Sequence, residues 1–199
     1  MRRRAQQIEE TARRIAQAAF ELHASIGPSN TTISAIAERA GVERLTVYRH
    51  YPDERSLFRA CVEHGLDALP MPDPGEWRGI ADPPTRLRAG LDAMYRYYRR
   101  TETVWANILP DLFRMPALYG ANARTFEQFG AIHETLARGW RVRGRRRRIV
   151  RAAIWLALQF PTWQTLAVQQ GLSDAEAIEL TVAAVACLAE RASPLSSEP

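Results

Sequence analysis

Gly41 stands alone between two short runs of helical periodicity, and that arrangement leaves few folds open. On its N-terminal side Ile33, Ile36, Ala37 and Ala40 recur at i, i+3, i+4 and i+7, the spacing that lines one face of an α-helix. Thr32, just ahead of that face, is the expected N-cap. Gly41 follows the last periodic residue, where a left-handed backbone costs glycine little, and Val42 is placed to plug the gap between two crossing helices. A second short helix is expected from about Glu43 to Tyr51. Two short helices joined by a glycine-containing turn of roughly three or four residues form a helix-turn-helix.

The second helix carries Arg44, Thr46, Tyr48, Arg49 and His50, which together supply donors for base edges, a methyl-bearing hydroxyl and groups that reach phosphate. Leu45, Val47 and Tyr51 alternate with them and are expected to anchor the helix. Read on periodicity alone, the pair could equally be two packed helices of an ordinary bundle with a solvated polar face.

The order of residues is more specific than the periodicity. From about Arg14 to Cys61 the chain resembles the DNA-binding domain of the TetR family of bacterial transcriptional regulators. The resemblance is carried by an amphipathic first helix ending in Gly27, the TTI start, the AIAERAGV block, the TVYRHY segment and PDERSLF opening a fourth helix. Thr32, Gly41, Val42, Thr46, Val47, Tyr48 and Tyr51 all fit the family pattern. The resemblance implies a dimer that presents two recognition helices to successive major grooves of a palindromic double-stranded operator and is released by a small effector. On this reading Arg44 pairs with a guanine and Thr46 meets a thymine methyl or base edge. Tyr48, His50 and the helix start at Thr32 hold phosphates, and Arg49 could do either. Where the family often has a phosphate-binding lysine this chain has Glu54, so that contact is either missing or moved to Arg55.

Composition is compatible with this without proving it. A chain of 199 residues with 46% hydrophobic side chains can bury one or two substantial cores, and a net charge of +5 suits a polyanionic partner. All 27 basic residues are arginine, which we read as genome base composition and discount as a functional signal. Cys61 and Cys187 form no CxxC pair and read as small buried side chains. The MRRR start is not followed by an apolar stretch of signal-peptide type, and no stretch reaches the roughly 18 apolar residues of a membrane span. A cytoplasmic protein is expected, with no cofactor and no metal site.

Taken in order, Arg2, Arg3 and Arg4 read as a basic arm ahead of the first helix. Ile8, Ala12, Ile15, Ala19, Leu22 and Ile26 then step by four and three to give a core stripe, with His23 at the edge of the small core. The domain divisions follow: residues 1–68 for DNA binding, 69–84 as a Pro/Gly/Asp-rich linker, and 85–199 for effector binding and dimerisation. Helix signals return with Leu87, Leu91, Met94 and Tyr98, then around Thr103–Phe113 and from about Ala117 to Gly139, with breaks near Pro110 and Pro116. In the resembling family these central helices enclose an effector. Tyr95, Tyr98, Trp105, Asn107, Phe126, Phe129 and His133 are the candidate lining, although an aromatic stripe at helical spacing is also what plain core looks like.

Arg138, Arg141, Arg143, Arg145, Arg146, Arg147, Arg148 and Arg151 form the densest charge run in the chain. It reads first as a solvated loop and helix start, and second as a contact for an anionic partner or effector. The segment Ile149–Gln170 is apolar on nearly all sides, with a kink expected at Pro161. Ser173 and Glu176 make a capping box for a last helix. Trp155, Leu158, Trp163, Ile178, Val182 and Val185 are the candidate dimerisation residues, forming an intermolecular four-helix bundle. The tail from Ser193 to Pro199 is expected to lack order.

The expected fold is therefore all-α, about nine helices, with an N-terminal helix-turn-helix domain and a C-terminal helical effector-binding and dimerisation domain. The expected function is sequence-specific regulation of transcription, as a repressor released by effector. One alternative is an activator or a partner-dependent regulator of the same fold. Another is an all-α enzyme using His133 or Asp111 as acid–base, for which no nucleophile elbow, phosphate loop or metal-ligand pair is found.

Overall fold

The computed structural model describes residues 2–190, and among them every regular element is helical. Ten α-helices run α1 (Arg2–Ile26), α2 (Ile33–Ala40), α3 (Arg44–His50), α4 (Glu54–Ala68), α5 (Pro83–Leu112), α6 (Pro116–Ala121), α7 (Ala123–Leu136), α8 (Gly144–Ala157), α9 (Phe160–Trp163) and α10 (Asp174–Glu190). Short 3₁₀ turns at Pro28–Asn30 and Pro74–Trp77 and a π-helical stretch at Gln164–Gln169 complete them. The chain forms two compact units: residues up to Met71 with Thr101–Glu127, and Pro72–Arg100 with residues from Gln128 onward. Both α5 and α7 pass from one unit to the other along the chain. The backbone of α5 leaves helical geometry at Thr101, where φ is −118° and ψ is 15°.

In the first unit, α1 packs against α2 and α4 through Ile15, Ala18, Ala19 and Leu22. The ends of its expected stripe, Ile8 and Ile26, are exposed, because α1 extends beyond the small core it covers. Arg3 and Arg4 lie in the first turn of α1 rather than in an arm ahead of it. The far end of α1 is tied down by residues distant in sequence. The Asn107 side-chain amide donates to the carbonyls of Ala24 (2.8 Å) and Ser25 (3.1 Å), and the Asp111 carboxylate accepts from the Ser29 N–H at 2.8 Å. His23 is buried beside Phe58, with Nδ1 3.2 Å from the Cys61 sulfur. Burial holds the ring neutral, with a pKa near 4, and pushes the Cys61 thiol up to about 12. That thiol is therefore an inert packing group.

In the second unit the aromatic side chains go inward. Tyr95 and Tyr98 are fully buried on α5, and their hydroxyls donate to the carbonyls of Ala157 (3.2 Å) and Leu158 (2.5 Å) at the end of α8. Tyr98 also stacks against Phe160 and Trp163. The expected kink at Pro161 does not occur within one helix. Instead α8 ends at Ala157 and Pro161 sits in the first turn of α9, where its missing N–H costs nothing. Residues 103–139 differ similarly: the helix through Thr103 is the continuation of α5, and Asn122 separates α6 from α7. Trp77 is buried. The residues from Ser193 to Pro199 lie outside those described.

Candidate nucleic-acid interface

The turn between α2 and α3 is built by backbone hydrogen bonds that only a left-handed residue permits. Thr32 caps α2 by accepting from the Ala35 N–H at 3.1 Å. Gly41, at φ 64° and ψ 41°, turns the chain so that its own N–H reaches Glu38 O and the Val42 N–H reaches Ala37 O. This is a Schellman closure, and it points Val42 back onto the core. Helix α3 is then clamped by Val47, which is fully buried, and by Tyr51, whose hydroxyl donates to Ala12 O at 3.0 Å. Asp53 caps α4 by accepting from Ser56 N–H at 2.7 Å.

With Val47 and Tyr51 held inside, the helical step of about 100° per residue puts Leu45 and Arg49 on the opposite face of α3 and Tyr48 on its side, while Arg44 is exposed at the helix start. All four are exposed, Leu45 at 56% and Tyr48 at 42%. The Arg44 guanidinium donates to the Tyr48 hydroxyl at 3.1 Å and lies 5.6 Å from that ring's centre, so the two form one arm. Thr46 and His50 are half-buried on the flanks, His50 lying against the Tyr51 ring. Thr32 and Arg55 are exposed at the starts of α2 and α4, with Glu54 beside Arg55.

Leu45, expected from its alternation with Val47 to anchor the helix, is instead exposed. A helix of seven residues needs only Val47 and the flanking Tyr51 for attachment, and the angle of position 45 carries it away from both. Counting helical angle rather than alternation would have found it.

This exposed helix, set by a Schellman turn on a three-helix support, matches the family model "Bacterial regulatory proteins, tetR family" over residues 15–61. The uncharacterized HTH-type transcriptional regulator TtgW of Pseudomonas putida is 34% identical over 100 residues, which span 47% of this chain and 70% of that protein. The chain belongs to the TetR family. It is also 36% identical over 100 residues to the HTH-type transcriptional regulator SrpR of Pseudomonas putida, covering 47% of this chain and 44% of SrpR. The chain thus spans less than half the length of that relative. Among solved structures, a tetR-family regulator from Streptomyces coelicolor superposes with a TM-score of 0.60 at 20% identity, covering 89% of this chain and 81% of that one. NalD, the secondary repressor of the MexAB-OprM multidrug efflux pump in Pseudomonas aeruginosa, superposes with a TM-score of 0.58 at 21% identity, covering 90% and 95%. The family match over residues 15–61 takes in α2, the Gly41 turn and α3.

The other expected sites fare differently. Tyr95, Tyr98, Phe129 and His133 fall in the second unit of this TetR-family chain, whereas Trp105, Asn107 and Phe126 fall in the first. The tyrosine hydroxyls and the Asn107 amide are committed to backbone carbonyls, and His133 Nε2 lies 2.9 Å from Arg151 O with its ring edge-on to Trp155. Phe126 packs on Tyr119 at 4.9 Å, and Phe129 is buried. Two clefts in the second unit, of about 660 and 410 Å³, are lined by other residues. Of the expected dimerisation residues, Leu158, Trp163, Ile178, Val182 and Val185 are buried within the protomer and only Trp155 is exposed, at 42%. Among the described residues no three His, Cys, Asp or Glu side chains gather as a metal site, and no helix is long and apolar enough to cross a membrane.

Proposed function

We propose that the protein is a cytoplasmic repressor that binds a palindromic operator as a homodimer and leaves it when a small effector binds. The observation that carries this reading is the exposed surface of α3, where Arg44, Leu45, Tyr48 and Arg49 lie open on a helix anchored by Val47 and Tyr51. Arg44, preset by Tyr48, is suited to bidentate contact with a guanine, and Leu45 to a thymine methyl. Thr46 and His50 flank these contacts, and Thr32, Tyr48 and Arg55 supply phosphate contacts at three helix positions. NalD is described as a repressor, which supports repression here by analogy.

The proposed dimer surface is the outer side of α8 and α10, which pack on one another. Ile149 and Leu156 are exposed on α8, and Leu180 and Leu188 on α10, with Ala183 and Ala184 between the latter. Apolar side chains on two adjoining helices fit a second copy of the same pair, with the buried Leu158, Trp163, Ile178, Val182 and Val185 stiffening the surface from behind. Two-fold symmetry would then present two copies of α3 to a duplex whose successive major grooves lie about 34 Å apart, one helical turn of DNA.

Selection of bound sequences from a random duplex pool at two salt concentrations tests the reading. A palindromic motif whose affinity falls steeply with salt is expected. Recovery of no motif would refute it. Expression from the recovered operator should rise when the gene is deleted, whereas a fall would make the protein an activator.

A further inference from the structure

The arginine run remains unused by the DNA reading, and its placement is specific. The chain between α7 and α8 folds so that Arg138, Arg143, Arg147 and Arg151 line one cleft of about 410 Å³, together with Val150 and Glu134. That volume falls in the size range of small-molecule sites, about 300–1,000 Å³. Four arginines and a single acidic residue line it. Glu134 is already spoken for: it forms a two-pronged ion pair with Arg151, which holds its carboxyl below the usual range. Among the described residues no carboxylate lies within ion-pair distance of Arg138, Arg143 or Arg147.

The backbone adds to the imbalance. Helix α8 begins at Gly144 with no acidic residue in its first turn and no side-chain cap from Arg143. Arginines therefore occupy the positive end of the helix dipole, where cations are disfavoured. Arg86 is buried and donates to the carbonyls of Thr135 and Arg138; its charge acts on Arg138 and is opposed in part by Asp82. Arg138, Arg143 and Arg147 are exposed and line the same cleft, where their forks stay open to a partner from solvent. That fork geometry matches oxyanions.

We propose that this cleft is a binding site for a small multiply charged oxyanion carrying phosphate or carboxylate groups, held chiefly by Arg138, Arg143 and Arg147. Arg151, kept in place by Glu134, closes one side. The proposal does not depend on operator recognition, since it concerns the protein without DNA.

Calorimetric titration of the full chain with inorganic pyrophosphate and, separately, with citrate tests it and separates the two chemistries, with sodium chloride at matched ionic strength as the control. Saturable one-to-one binding of at least one probe is expected. In the Arg143→Gln/Arg147→Gln variant, binding should weaken at least tenfold. In Arg145→Gln/Arg148→Gln, which removes the same charge from neighbouring exposed positions outside the cleft, it should change less than threefold. Equal loss in the two variants would mean a diffuse field and overturn the site. So would no heat beyond the salt control, or stoichiometry above one. If the same Arg143/Arg147 substitutions instead lower affinity for short duplex DNA while neither probe binds, the arginines contact the nucleic-acid backbone and the proposal fails.

Discussion

The two compact units spend their large side chains in opposite directions. In the first, the core beneath α2 and α3 is made of small and medium residues such as Ala18, Ala19, Ala37, Ala40 and Val47, and the big polar and aromatic groups of α3 are left outside. In the second, Tyr98, Phe160 and Trp163 are buried against one another and Tyr95 is buried one turn before Tyr98, and the polar atoms of Tyr95, Tyr98 and Trp163 are bonded to backbone or to Asp174. A side chain whose polar atom is already satisfied inside the protein supports the fold. One that projects from a helix anchored elsewhere is available to a partner.

Truncation should expose that difference most strongly. Trp163→Ala empties a fully buried site that touches Tyr98 and Phe160 and removes the indole N–H donated to Asp174. A loss of about 3–5 kcal/mol of unfolding free energy is expected, measured by urea denaturation. Tyr48→Ala, which also deletes an aromatic ring, should shift stability by less than about 0.5 kcal/mol, because that ring is exposed. A similar loss in both variants would erase the distinction.

The next effect belongs to the first unit alone. His23 is neutral when folded because burial lowers its pKa from the ordinary 6.5 to about 4, against a smaller opposing pull from Asp111. Between those values the unfolded chain binds the proton and the folded chain does not. The contribution is therefore complete above pH 6.5 and disappears as pH falls toward 4, amounting to about 3 kcal/mol. His23→Phe, which keeps an aromatic beside Phe58, should flatten stability between pH 6.5 and 4 relative to the unsubstituted protein. Unchanged slopes would show that His23 does not titrate in this way.

Arg44 follows. Arg44→Ala should leave unfolding unchanged but cost about 1–3 kcal/mol of operator binding and relax base preference at one position per half-site. Leu45→Ala should weaken binding less and relax a different position. Equal losses on every duplex would make Arg44 a phosphate contact. These outcomes bear on how much the sequence could reveal. The helix-turn-helix was legible because its determinants are local: a cap at Thr32, a left-handed glycine at 41 and one buried residue at Val47. The capping box of α10 was legible for the same reason, with Ser173 N–H donating to Glu176 at 2.8 Å. The aromatic residues of the central helices were not. Whether Tyr98 lines a cavity or bonds to Leu158 O depends on a residue sixty positions away, and periodicity gives only the helix face. The exposure of Trp155 and burial of Leu158 likewise follow from where α8 stops, which apolar content alone did not locate.

The smallest expected effect compares two ion pairs of the second unit. Arg88 and Glu179 form a two-pronged pair at 2.7 and 2.8 Å, and Arg99 and Asp174 form another at the same two distances. Geometry alone would rank them equal. Their surroundings differ: Asp174 is only 22% exposed and also accepts from the Trp163 indole, and Arg99 lies 5.7 Å from the centre of that ring. Glu179 is 62% exposed, so water competes for every one of its contacts. A double-mutant cycle on Arg99 and Asp174 should therefore give a coupling of about 1 kcal/mol, and the cycle on Arg88 and Glu179 a smaller one that vanishes in salt. Because Asp174 is held below its ordinary pKa by Arg99, its share should persist at neutral pH and be lost only as acid protonates it. In Trp163→Ala the Arg99–Asp174 coupling should fall toward that of the exposed pair. If it does not, the guanidinium and carboxylate suffice by themselves, and the buried aromatic cluster of this unit contributes packing but no electrostatic support.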